Sequence, residues 1–199
     1  MKRTLFYSAL AAGLLGFSMS ASADFSGYYA LANDAPSNWL ISHTPDASTD
    51  FGSVNTRGAP RSITLIGSNS NPTVETFSRV DFTIVAPAAG SFSFSWAFSS
   101  HDSIGVAYES AGYLKNGQIH QLFPSDASNI PSGSEPSVQV AMNDVIGFYV
   151  LTQDNQGGSA SLTISNFSAP VPEPASVAMM ALGLLGLVGV AAARRRQLP

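Results

Sequence analysis

The chain has 199 residues, of which 45% are hydrophobic and only 11% charged, with a net charge of −4 and no cysteine. The missing thiols exclude disulfides, zinc-thiolate sites, a lipoprotein anchor and a cysteine nucleophile. Five of the nine basic residues lie at the two ends, so Asp24 to Val171 carries only Arg57, Arg61, Arg79 and Lys115 against twelve carboxylates, a balance that argues against nucleic acid as a partner.

Lys2 and Arg3 precede an apolar run from Leu5 to Phe17, which ends in Ala21-Ser22-Ala23. That order of charge, apolar stretch and small-residue site predicts a signal peptide over 1–23, with Ala21 and Ala23 marking cleavage and the mature chain starting at Asp24. The run falls short of the roughly 20 apolar residues that a span requires. The secretory translocon is the partner implied.

The next segment, 24–169, has the length of one domain. Its seventeen aromatic residues supply a core, each burying about 150 to 250 Å². Trp39, in Ser-Asn-Trp-Leu-Ile, is either part of that core or an aromatic platform for a glycan. Runs with strand character follow at Arg61 to Ile66 and Phe77 to Val85.

The clearest pattern is Gly90 to Phe98, where Phe92, Phe94, Trp96 and Phe98 alternate with small residues. A period of two places the four aromatics on one face of a strand, which makes Trp96 a core residue. Further strands are predicted at Ile104 to Leu114, Gln118 to Phe123, Val138 to Met142, Ile146 to Thr152 and Ala160 to Phe167. Asn116-Gly117 predicts a type I′ hairpin, because both central residues of that turn need positive φ. Pro87 to Gly90, Pro131 to Pro136, Asn143-Asp144 and Asn155 to Gly158 read as the other turns.

No stretch of this segment has a capped 3.6-residue apolar repeat. The expectation is an all-β fold, a single antiparallel β-sandwich of jelly-roll type, with an immunoglobulin-like sandwich as the alternative.

Little in this domain points to catalysis. His101-Asp102-Ser103 contains the letters of a triad, but consecutive residues of an extended chain alternate sides and cannot relay a proton among themselves. No G-x-S-x-G, H-E-x-x-H or phosphate-binding glycine loop is present, so no catalytic residue is assigned and the expectation is that the protein is not an enzyme. His43, His101 and His120 stand singly.

No cofactor is called for, although structural calcium is a candidate. Asp102, Asp144, Asp154 and Asn155 fall at predicted strand ends, where oxygen ligands of a sandwich gather. Asp and Asn are also ordinary turn residues, and the spacing is not that of an EF-hand. The threonines show no periodic T-x-T array of the kind a flat ice-binding face requires.

The chain closes on VPEPASVAMMALGLLGLVGVAAARRRQLP, in which nineteen uncharged residues, Ala175 to Ala193, lie between a Pro-Glu-Pro and three arginines. As a helix they cover roughly 28 Å, enough for one transmembrane span over 175–193. Arg194, Arg195 and Arg196 would hold its end in the cytoplasm. Pro170, Pro172 and Pro174 remove backbone donors and favour an extended, exposed strip outside the membrane.

Val171-Pro172-Glu173-Pro174, the apolar span and the arginine cluster resemble the PEP-CTERM sorting signal of Gram-negative bacteria. The resemblance implies an exosortase, an integral-membrane cysteine transpeptidase, that recognises Pro172, Glu173 and Pro174 and processes the tail 170–199 during delivery to the cell surface or exopolysaccharide matrix. The same tail is also labelled an ice-binding protein C-terminal segment. Its logic is that of glycolipid-anchor signals, where a hydrophobic tail is read and then removed.

The domain itself resembles the small jelly-roll sandwiches carried by PEP-CTERM proteins, through its Gly-Tyr-Tyr, Asn-Trp, Pro-Ala-Ala-Gly, Asn-Gly and Asp-Val-Ile-Gly-Phe segments. The functional expectation is an exported, non-enzymatic surface or biofilm-matrix protein with a structural or adhesive sandwich. The alternative is a carbohydrate-binding module acting on exopolysaccharide.

Overall fold

A computed structural model describes residues 22–31, 38–44, 52–70, 76–102, 106–124, 131–172, 182–186 and 188. The chain divides into two compact units, Ser22–Pro172 and a second made of Met1–Ala21 with Glu173–Pro199.

The described residues of the first unit form eleven strands and one 3-10 turn, Gly27–Tyr29. In chain order the strands are β1 (Ser22–Ala23), β2 (Leu40–Thr44), β3 (Ser53–Asn55), β4 (Ser62–Ile66), β5 (Ser78–Val85) and β6 (Gly90–Ser100). They continue with β7 (Glu109–Lys115), β8 (Gln118–Gln121), β9 (Ser132–Val140), β10 (Val145–Thr152) and β11 (Ala160–Pro170).

Two antiparallel sheets result. One has the order β3-β4-β11-β6-β9, with β1 continuing along β11, and the other β2-β5-β10-β7-β8. From β4 onward the chain crosses repeatedly between the sheets, and apart from the β7–β8 hairpin each strand settles beside one far away in sequence. β11 lies between β4 and β6, and β10 lies between β5 and β7. This is the connectivity of two interleaved Greek keys, the jelly-roll order.

The alternation read at Gly90 to Phe98 sets the core. Phe92, Phe94, Trp96 and Phe98 are all buried on one face of β6. They meet inward residues of the opposing sheet, Phe94 crossing Phe148 edge to face at 5.0 Å. A second aromatic group surrounds Trp39, whose ring stacks on Phe82 at 4.4 Å and lies 5.9 Å from Phe25 and Phe167.

Turn chemistry acts as expected at Asn116 and Gly117, whose φ values of 50° and 77° close the β7–β8 hairpin. Elsewhere the structure departs from the sequence reading. Pro131 to Pro136 is not a turn: β9 begins at Ser132 and runs through Pro136. A proline is tolerated there because β9 is an edge strand with a bulge opposite Ser93, where the pairing shifts between Phe92 and Phe94.

The run Ile104 to Leu114 is shorter as a strand, since Val106 to Tyr108 form a turn ahead of β7. The run Val138 to Met142 ends at Val140, with Met142 exposed in the following turn. β11 has its own bulge, where Asn166 takes φ 50° and the pairing with β6 shifts between Ser165 and Ser168.

In the second unit, residues 182–186 and 188 are helical, and Leu182, Leu184, Leu185 and Val188 are exposed. Among the described residues no helix is long and apolar enough to cross a membrane. Most of the span expected over 175–193, together with Glu173, Pro174, Arg194, Arg195, Arg196 and Ala21, lies outside the described residues.

Candidate functional site

Strand period two carries the inward rows of the sandwich beyond its apolar centre. Along β7 the inward positions are Tyr113, Ala111 and then Glu109, and along β10 they are Phe148, Val150 and then Thr152. Glu109 and Thr152 are partners in the β7–β10 ladder. On β6 the row Trp96, Phe98 and Ser100 leads to Asp102, just past the strand.

At one end of the sandwich the apolar interior therefore gives way to oxygen. Glu109 is completely buried and Asn155 is 3% exposed, and Asp102 and Thr152 are buried with them. Neither carboxylate oxygen of Glu109 has a hydrogen-bond partner among the described residues, and the same holds for Thr152 Oγ1 and Asn155 Oδ1.

The loop after β10 packs on this end. A Cβ at Gly157 would come within 2.6 Å of Asp102 Oδ1, so only a glycine lets the loop lie against that carboxylate. Asn155 reaches its position with φ 61°. Asp154 caps its own loop, its Oδ1 accepting the Gln156 amide at 3.2 Å.

The electrostatics follow from the geometry. Burial, with the charges of Asp102 and Asp154 added to it, pushes the Glu109 carboxyl up to about 8. The Thr152 hydroxyl beside it acts in the opposite direction. Among the described residues no cation contributes.

Of the four candidate metal ligands, the structure brings Asp102, Asp154 and Asn155 toward this end and separates Asp144 from them. Asp144 precedes β10 whereas Asp154 follows it, and the eight residues of that strand span roughly 26 Å. Asp144 is instead committed to a hairpin lock. It accepts from Asn116 Nδ2 at 2.8 Å and from the Ala141 amide at 2.9 Å, and Lys115 Nζ stands 3.8 Å away. The sequence reading missed Glu109, although counting back by twos from Tyr113 puts it on the inward face. Among the described residues no group of three or more His, Cys, Asp or Glu side chains is arranged to hold a metal ion, so any ligand set here joins carboxylates to neutral oxygens.

Trp39 does not serve as a platform. It is 7% exposed, its ring is stacked on Phe82, and its Nε1 donates to the Tyr29 carbonyl at 3.0 Å. Trp96 is core as expected. His101 is exposed, with Nδ1 3.2 Å from the Ser159 carbonyl, while neighbouring Asp102 is buried. The two point to opposite sides, as the alternation of an extended chain requires.

At the other terminus of the unit the sorting strip emerges from β11. Pro170 is the last residue of that strand, its carbonyl accepting the Tyr29 hydroxyl at 2.8 Å, and Pro172 is exposed two residues later. Ala23 of β1 pairs with Ala169 and packs against the core.

Fold and tail together define a two-sheet antiparallel β-domain whose last strand runs directly into a sorting signal. The chain carries the PEP-CTERM protein-sorting motif, matched over residues 170–196. No curated protein sequence matches the chain.

Among solved structures, the chain is similar to the module TmCBM61 in complex with β-1,4-galactotriose, at 9% identity over 66% of this chain and 88% of that one, with a TM-score of 0.37. It is also similar to the family 11 carbohydrate-binding module of a cellulosomal cellulase of Clostridium thermocellum, at 10% identity over 70% and 91% of the two chains, TM-score 0.37. A native family 35 carbohydrate-binding module from Clostridium thermocellum matches at 14% identity over 63% and 96%, TM-score 0.29.

Proposed function

We propose that this is an exported, non-enzymatic protein of the cell surface or extracellular matrix of a Gram-negative bacterium. Its sandwich has a structural or adhesive role, and its tail is read by an exosortase-type transpeptidase. The observation that carries this reading is the sorting motif at 170–196, which starts as the last strand ends. The folded unit closes at Pro172, so in sequence the Pro-Glu-Pro follows the last strand with no long linker between.

In this reading the signal peptide 1–23 directs export, and the apolar segment 175–193 holds the precursor in the inner membrane. Arg194 to Arg196 fix its orientation and Pro172, Glu173 and Pro174 present the recognition strip. Mass spectrometry of the protein from its native host tests this. The mature form is expected to lack Arg194 to Pro199, and the tail is expected to persist when the exosortase gene is deleted. An intact C-terminus in the presence of exosortase overturns the reading.

The alternative, a module that binds exopolysaccharide, needs exposed aromatic rings. Trp39 and Trp96 do not supply them, whereas Tyr28, Phe77 and Tyr108 are exposed. Glycan-array binding that is lost on Tyr108→Ala or Tyr28→Ala would favour it over a purely structural role.

A further inference from the structure

We propose that the polar end of the sandwich is a structural calcium site, with Glu109 and Asp102 as its carboxylate ligands and Asn155 and Thr152 as neutral oxygen donors. Three observations converge on it. Glu109 has no exposed surface, yet both its carboxylate oxygens lack a hydrogen-bond partner among the described residues. A buried carboxyl left in that state costs several kcal/mol unless something compensates it.

Around Glu109 the described neighbours present more oxygen and no counter-charge. Asn155 Oδ1 and Thr152 Oγ1 are buried without partners among the described residues, and Asp102 is held against the same loop by the close approach of Gly157. Two of the described cations are engaged elsewhere: Arg79 pairs with Asp81 at 2.8 Å, and Lys115 donates to the Gln139 carbonyl at 2.6 Å.

Third, the donors come from different elements that converge at one end of the fold: Asp102 after β6, Glu109 at the start of β7, and Thr152 and Asn155 at and after the end of β10. A cation there would tie strands of both sheets to the loop that follows β10.

The chemistry of the donors selects the ion. They are all oxygen, which disfavours the nitrogen and sulfur preferences of zinc or copper. Two carboxylates with an amide and a hydroxyl suit the irregular all-oxygen coordination of calcium at about 2.4 Å better than the strict octahedron of magnesium. This inference does not depend on the sorting reading.

The test uses the purified full chain, freed of metal with a chelator and titrated with calcium chloride or magnesium chloride, with calorimetry and thermal unfolding as readouts. Calcium is expected to bind at one site per chain and, at about 100-fold above its Kd, to raise Tm by roughly 5 to 15 °C, with magnesium much weaker. Glu109→Gln, which keeps the shape and removes the charge, is expected to abolish the calcium-dependent shift, while Asp144→Asn keeps it. Should Glu109→Gln fail to fold, Asn155→Ala decides, with at least tenfold weaker calcium binding expected. No calcium-dependent shift in the wild-type chain at 10 mM, or an equal shift in wild type and the Glu109 or Asn155 variant, overturns the proposal.

Discussion

The Tyr29 hydroxyl donates a 2.8 Å hydrogen bond to the carbonyl of Pro170, which joins the 3-10 turn at the start of the domain to the residue where the sorting motif begins. Phe25, stacked on Phe167 at 4.6 Å, reinforces the same junction. The last strand is thus clamped by the first residues of the domain, and the strip that follows leaves from a fixed point.

Tyr29→Phe keeps the ring and removes the hydroxyl, leaving the buried Pro170 carbonyl without its donor. The expected loss is about 1 to 2 kcal/mol in urea unfolding at neutral pH. Burial holds the Tyr29 phenol well above its ordinary value, so the folded state keeps a proton that the unfolded chain gives up above about pH 10. Stability attributable to Tyr29 is therefore complete below about pH 10 and declines as pH rises beyond it. Unfolding curves at pH 8 and pH 11 should show a smaller alkaline loss in Tyr29→Phe than in wild type.

Asp144 predicts the opposite pH response. The amide of Asn116 and the backbone of Ala141 hold its carboxyl below the usual aspartate range. Its contribution is present above about pH 4, the unfolded value, and disappears as pH falls through the lower folded value. Asp144→Asn should therefore flatten the acid limb of the stability profile below about pH 4. Asn116→Ala should be the more damaging change at neutral pH, by about 1 to 3 kcal/mol. It removes the bonds to Asp144 and to the Val145 amide and forces a non-glycine, non-asparagine residue into φ 50°.

Core positions give a third expectation. Trp39→Ala empties a site lined by Phe25, Phe82, Phe148 and Phe167 and should cost about 3 to 5 kcal/mol in chemical denaturation. Gly133→Val should also destabilise, since any Cβ there would lie 2.9 Å from the Trp96 ring, and neither β9 nor the buried indole can easily give way. A Trp39→Ala variant with unchanged stability would contradict the packing around that ring.

Much of this fold was legible because β6 states its own parity. Once Phe92, Phe94, Trp96 and Phe98 share a face, the neighbouring strands follow from their turns. β2 and β3 were missed. Leu40–Thr44 and Ser53–Asn55 are short sequences with little alternation, held by pairing with β5 and β4 rather than by their own pattern. The first half of β9 was misread because proline and glycine propensities favour a turn, and only its edge position and bulge make a strand acceptable there. Within the polar end, Asp102 and Asn155 were visible as turn residues. Glu109 was hidden by lying inside a strand, where a carboxylate is expected to face solvent. Asp144 was grouped with them because sequence marks strand ends without saying which end of the sandwich each belongs to.

The N-terminal boundary carries the last prediction. Cleavage after Ala23 would remove Ser22 and Ala23, the two residues that pair with Pro170 and Ala169, so export would strip β1 from the strand that leads into the sorting motif. The mature domain would then rely more heavily on Phe25 against Phe167 and Tyr29 on Pro170 to hold the end of β11, beside its pairing with β6. N-terminal sequencing of the exported protein is expected to begin at Asp24. Amide exchange at Ala169 should be faster in that mature form than in a precursor whose cleavage is blocked, because one partner of its ladder is gone. Phe25→Ala should then weaken the mature form by about 3 to 4 kcal/mol. A mature chain that still begins at or before Ser22 would show instead that β1 remains part of the finished sandwich.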